Sequence, residues 1–343
     1  MQIYKGKITI IQVISFIFLV VLFIFSSLSN GISEELVKLK VAYLPYISYS
    51  PVFIALEEGY FREQGLEIEL VKFRGSGLSI PALASGSLDV SADSTGANLF
   101  AAVARGLKIK IVADKGHLDG RCNYGAIMVR KELYESGEVR KIEQLKGRKV
   151  ALQPIPVWGY VYEKILNEGN LTLEDIEIVR MPGSSKAEAF QTGAIDAASA
   201  GEPLITQLET LGYAVTLAAY RQVVPNYQIG SIVFGVNLID KDQEIGKKFM
   251  IAYLKGIRQF NEGKTERNIE ILQKQTGLDP DIIRKICFPA FYPDGHVHTE
   301  SILAVQDWVS EKGFIDSKVT LDQLVDMSFV EYANRMLEGT EGN

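Results

Sequence analysis

The stretch KLKVAYLPYISYSPVFIALEEGYFREQGLEIELVKF, residues 38–73, decides the fold. KLKVAYL is a run of apolar and β-prone residues and reads as a buried strand. PVFIALEEGYF has helical periodicity, with Pro51 in its first turn and Gly59 near its end. EIELVKF reads as a second strand. A strand, a loop, a helix and a strand in that order predict a parallel βαβ unit. The loop PYISYS then falls at the carboxyl end of a strand, where open α/β sheets bind ligands.

The same alternation continues down the chain. Strands are expected at LDVSAD, KIKIVAD, YGAIMVR, RKVALQ, IEIVRM, IDAASA, YAVTLAA and SIVFGVN, with helical stretches such as NLFAAVARG, KAEAFQTG and LITQLETLG between them. This predicts an α/β fold with parallel sheets covered by helices. After Asn237 the pattern turns wholly helical. A strand, a small-residue loop, an Ala-rich helix, GxxD and a strand occur twice, as VKFRGSGLSIPALASGSLDVSAD and as IVRMPGSSKAEAFQTGAIDAASA. Two such units imply two similarly built lobes, with a cleft lined by strand-end loops from both. Chance repetition of α/β phrasing is the plain alternative.

The 343 residues allow about two domains. A net charge of −6 argues against nucleic acid, since phosphate neutralisation needs clustered Lys and Arg. At the N-terminus Lys5 and Lys7 precede a long apolar run that ends in SSLSNG. This layout predicts a secretory signal over residues 1–30, with an uncleaved anchor as the competing reading. Either places the remainder outside the cytoplasm. Cys122 and Cys287 are read as two buried thiols, a disulfide being the alternative open to an exported chain. His117 is expected in a polar loop and the HVH of PDGHVHTE in a solvated turn. No metal or other cofactor is expected.

Taken in order, SPVFIALEEGYFREQGLEIEL, GSGLSIPALASGSLDVSADSTGA, GAIMVRKE with IEQLKGRKVAL, and MPGSSKAEAFQTGAIDAASAGEP resemble the solute-binding proteins of ABC transporters for nitrate, sulfonates, taurine and thiamine-pyrimidine precursors. The resemblance implies a type II periplasmic-binding-protein fold. Two α/β lobes would be joined by two crossing strands, with the C-terminal helices on lobe one. It places lobe one at residues 38–128 plus 236–340 and lobe two at 129–235. It further implies a protein that binds a small molecule without chemistry and hands it to a permease and its ATPase. With the leader, the expectation is a monomer exported to the periplasm or held at the outer face of the cytoplasmic membrane. Enzymes of pyrimidine or menaquinone biosynthesis on the same fold are the alternative class. The Cys-rich motif of the pyrimidine synthases is absent from this sequence.

The residues expected at the cleft follow. Tyr46, Ser48 and Tyr49 offer flat faces and hydroxyls. Ser76 and Gly77, beside Arg74, open a helix whose free N–H groups suit an acceptor, with Ser79 as N-cap. Ser94 and Thr95 follow the third strand. Trp158 and Tyr160 lie in the turn QPIPVWGY, where proline replaces the Gly/Ser of relatives, and Ser184 lies in the second repeat. Glu202 would accept from an amine or a ring N–H, against the plain role of a helix N-terminal charge. Aromatic walls plus Glu202 favour a nitrogen-containing ring or an amine. A small anion such as nitrate or an alkyl sulfonate is the alternative.

Overall fold

The computed structural model describes residues 35–73, 75 and 77–341. The expected leader, Arg74 and Ser76 lie outside the described residues. From Val37 onward the chain forms one compact unit built on two five-stranded sheets.

The opening stretch folds as its pattern dictates. β1 (Val37–Tyr43) pairs in parallel with β2 (Leu66–Lys72), and α1 (Ser50–Glu57) crosses between them with a proline in its first turn. Gly59, just past α1 at φ +79°, takes the left-handed conformation that glycine adopts without steric cost, and a short helical turn at Tyr60–Glu63 then leads to β2. Then come α2 (Ile80–Ser85), β3 (Val90–Asp93), α3 (Ala97–Ala104) and β4 (Lys110–Asp114). The second sheet holds β5 (Gly125–Arg130), β6 (Lys149–Ala151), β7 (Glu177–Val179), β8 (Ala197–Gly201) and β9 (Ala214–Ala219), with α4 (Ile155–Asn167), α5 (Lys186–Gln191) and α6 (Leu204–Leu211) covering it. β10 (Ser231–Phe234) returns to the first sheet. The tail is α7 (Gln243–Asn261), α8 (Glu266–Thr276), α9 (Pro280–Lys285), α10 (Thr299–Glu311) and α11 (Ser328–Glu341).

The strand orders are β2-β1-β3-β10-β4 and β7-β6-β8-β5-β9. They superpose term by term, which gives the sequence repeat a structural basis. Asp89 and Asp196 occupy equivalent places. Asp89 accepts from the Lys40 amide at 2.7 Å and Asp196 from the Lys149 amide at 3.0 Å, each tying a GxxD turn to its sheet. The preceding Gly86 and Gly193 sit at φ +75° and +71°.

The expectation of parallel sheets needs correction. β10 runs antiparallel to β3 and β4, and β5 runs antiparallel to β8 and β9. Each sheet is thus parallel apart from the strand reached by a crossing, which enters it from the opposite end. By sheet membership β5 lies wholly in lobe two and β10 wholly in lobe one.

The tail packs mainly on lobe one. α7 lies against α1 closely enough that a Cβ on Gly256 would stand 2.2 Å from the Pro51 carbonyl oxygen, so only glycine fits there. α10 also touches lobe two. A Cβ on Gly159 of α4 would meet Trp308 of α10 at 2.2 Å. One buried cluster accordingly runs through both lobes, from Leu99 and Phe100 through Val161 and Ile165 to Trp308.

The two cysteines are not free thiols. Cys122, on the first crossing, is disulfide-bonded to Cys287, just beyond α9, with Cα atoms 5.8 Å apart. His117 is likewise not in a polar loop. It is buried, stacks on Tyr292 at 3.8 Å and sits 3.1 Å from the Asp114 carboxylate. His298 is no free turn residue either, since its Nδ1 accepts from the Ser301 amide and caps α10.

Candidate ligand-binding site

The carboxyl ends of the parallel strands in both sheets carry the expected residues. After β1 the chain makes a tight turn over Ile47–Tyr49, held by the Tyr49 amide donating to the Tyr46 carbonyl at 3.0 Å. Tyr46 is left 52 % exposed, whereas Ser48 and Tyr49 are buried. The Ser48 hydroxyl bonds Tyr124 on the first crossing. Burial pushes the Tyr124 phenol up to about 12, and the nearby Glu202 and Tyr46 act in the same direction. Tyr49 stacks on Phe53 with centroids 6.3 Å apart, and the Lys115 ammonium lies 4.0 Å from its ring centre.

The loop after β2 is organised by Asp93 at the end of β3. Its carboxylate accepts from the Gly77 amide (2.8 Å to each oxygen), the Ser79 hydroxyl (2.8 Å) and the Ser94 amide (2.8 Å). Ser79 occupies the N-cap position of α2, but its hydroxyl turns to Asp93 and Ser91 instead of to the helix amides. Gly77 therefore offers no free N–H to an incoming group. Thr95 is buried, with its hydroxyl 3.3 Å from that of Ser231. Ser94 is half-buried beside it.

The turn expected around PVWGY is the first turn of α4, because Pro156 fits there without losing a needed amide. This turn reaches lobe one. A Cβ on Gly96 would stand 3.3 Å from both the Pro156 carbonyl oxygen and Val157 Cα. A void of only about 10 Å³ remains between Gly77, Ser94, Gly96, Asn98 and Val157. Solute pockets commonly measure about 300–1,000 Å³. The lobes are thus apposed here, with no room between them for a molecule of that size.

Other expected residues are drawn away from this contact. Trp158 packs on Tyr227 at 5.8 Å, and Tyr160 stacks on Tyr227 at 6.1 Å. Tyr160 also lines a separate groove of about 260 Å³ between α4 and α10, shared with Glu163, Asp307 and Trp308. Ser184 is exposed in the turn before α5. Glu202 is buried, with one oxygen accepting from the Cys287 amide at 3.1 Å and the Thr206 hydroxyl at 2.9 Å, the other from the Thr206 amide at 3.1 Å. Burial holds its pKa above the usual range against those three donors. Its geometry is that of the helix-capping alternative, extended to a bond that ties lobe two to the disulfide.

Sequence reading missed Tyr124 and Lys115. Lys115 directly follows the buried strand KIVAD, a place where a charged side chain is costly. That contrast was the available signal.

The NMT1/THI5-like family model matches residues 47–264, about two thirds of the chain and parts of both lobes. The chain belongs to this family. A relative from Brucella abortus, described as a binding protein, is 26 % identical over 245 residues, covering 71 % of this chain and 73 % of its own. An aliphatic sulfonates-binding protein of Bacillus subtilis is 22 % identical over 83 % of this chain and 85 % of its own. Among solved structures, the alkanesulfonate-binding protein SsuA of Xanthomonas axonopodis pv. citri, bound to MOPS, superposes with a TM-score of 0.68 at 18 % identity, covering 86 % of this chain and 99 % of its own. The NMT1/THI5-like chain thus has the fold expected of it, two α/β lobes of the periplasmic-binding type.

Proposed function

We propose that this NMT1/THI5-like chain is the extracytoplasmic solute-binding component of an ABC importer. It takes a small molecule between its lobes and delivers it, as a monomer, to a permease and its ATPase. The observation that carries the reading is the apposition of Gly96 in lobe one with Pro156 and Val157 in lobe two, at the strand-end edge of both sheets. Solute touching both lobes favours this closed arrangement over an open one. No turnover is part of the reading. The hinge is assigned to the crossings 115–124 and 220–230, so that lobe one comprises 37–114 and 231–341. The paired cysteines accord with an oxidising compartment and hence with export.

The preference for an amine, expected from Glu202 and Trp158, draws no support from geometry. Glu202 is engaged by Thr206 and Cys287, and Trp158 by Tyr227. Recognition is assigned to the loops after β1, β3 and β4.

Thermal melting of the full chain against a solute library tests this. A ligand at about a hundred times its dissociation constant stabilises by roughly 2.7 kcal/mol. The expected result is a raised melting temperature with the added compound recovered unchanged. A compound chemically converted at catalytic protein levels would overturn the reading.

A further inference from the structure

We infer that Lys115 sets the solute's chemical class, as the counter-charge to a carboxylate or sulfonate group on it. This rests on the solute-binding reading above.

Lys115 is 4 % exposed and follows β4 at the strand-end edge of the first sheet. Its stem runs so close over Gly230 that a Cβ there would stand 2.9 Å from Lys115 Cδ. The ammonium comes to rest on the Tyr49 ring. Among the described residues no oxygen accepts a hydrogen bond from Nζ and no carboxylate pairs with it. The other buried lysine is different, since Lys186 Nζ donates to the Ser199 carbonyl at 2.6 Å.

Two carboxylates flank Lys115, and both are turned to other donors. Asp93 holds Gly77, Ser79 and Ser94. Asp114 holds the amides of Gly116 (2.6 Å) and Tyr292 (2.9 Å) and the side chains of Gln228 (2.6 Å) and His117 (3.1 Å). They lend Lys115 long-range support but fill none of its N–H positions. Burial lowers its pKa to about 8, with Asp93 and Asp114 opposing, so it is charged at neutral pH. An aromatic face replaces only part of the hydration that an ammonium loses on burial. An anionic oxygen from a solute supplies the remainder. A neutral solute leaves donors unfilled, and an amine is repelled, so one group discriminates against both.

The test uses the full chain and three sets of probes. The acids are benzoate and ethanesulfonate, the neutral analogues benzamide and dimethyl sulfone, and the amines benzylamine and ethylamine. Melting and calorimetry are run on wild type and Lys115→Met. The expected result is binding of an acid about tenfold or more tighter than its neutral analogue, with that margin lost in Lys115→Met. The wild-type comparison needs no variant, so a poorly folded Lys115→Met does not blunt it. A neutral compound or an amine binding better than the acids overturns the inference and leaves the solute-binding reading standing. An acid whose affinity is unchanged in a folded Lys115→Met does the same. Binding of no probe overturns the inference for these acids. The solute library above then decides separately whether the solute-binding reading also fails.

Discussion

Gly96 faces Val157 across the gap between the two sheets, with room for a β-carbon only at 3.3 Å from the opposing backbone. Gly96 is extended (φ −164°), so a larger residue fits its own backbone without strain. What a larger residue removes is the closed contact. Gly96→Val is expected to hold the lobes apart and weaken solute affinity about tenfold or more, with little change in melting temperature. Titration with a solute that stabilises the wild type checks this. Undiminished affinity would mean that closure does not use this contact.

Glu202 is expected to matter for stability more than for affinity. Glu202→Ala strands the Cys287 and Thr206 amides in a buried place, at a cost of about 1–3 kcal/mol. Denaturant unfolding should show that loss while solute affinity stays within about threefold of wild type. The reverse pattern, normal stability with lost binding, would return Glu202 to the site.

The disulfide closes a long loop, joining positions 165 residues apart. Replacing Cys122 and Cys287 together by Ser should destabilise the chain by about 2–5 kcal/mol. A reducing agent should lower the wild-type melting temperature and leave the double variant unaffected. Equal melting of wild type with and without reductant would contradict the pairing.

Lys186 gives a pH signature. Burial lowers its pKa to about 8, below the ordinary lysine value reached on unfolding. Between those two values the unfolded chain holds the extra proton, so this group's contribution to stability rises with pH. It is lost as pH falls through about 8. Relative to Lys186→Met, wild type should gain up to about 1.4 kcal/mol per pH unit above about pH 8. Urea unfolding at pH 7.5 and 9.5 measures it. Parallel changes in the two proteins would show that Lys186 does not titrate in this window.

All ten strands, and the two-lobe repeat, were legible because periodicity and Gly punctuation act locally. The sense of β5 and β10 was not, because antiparallel entry after a crossing depends on where the chain returns and not on any residue in the strand. Tyr46, Ser48, Tyr49, Ser94 and Thr95 do lie at the strand-end edge of lobe one. Trp158 was expected in a turn because prolines look like loop formers, whereas Pro156 stands in the first turn of α4 and Trp158 follows it on the helix. Glu202 looked available because its partner Cys287 is 85 residues away. The disulfide, Tyr124 and Lys115 depend on contacts of similarly long range.

Closure on solute is the central claim, and a distance across the cleft tests it most directly. Leu78 of lobe one is 56 % exposed, and Ser184 of lobe two is exposed. Cysteines at these two positions can be labelled with a donor and an acceptor dye, because the native cysteines are already paired. The account predicts a mixture of long and short distances without solute and a shift to the short one when a stabilising solute saturates the chain. A solute that raises the melting temperature yet leaves the distance distribution unchanged would contradict it.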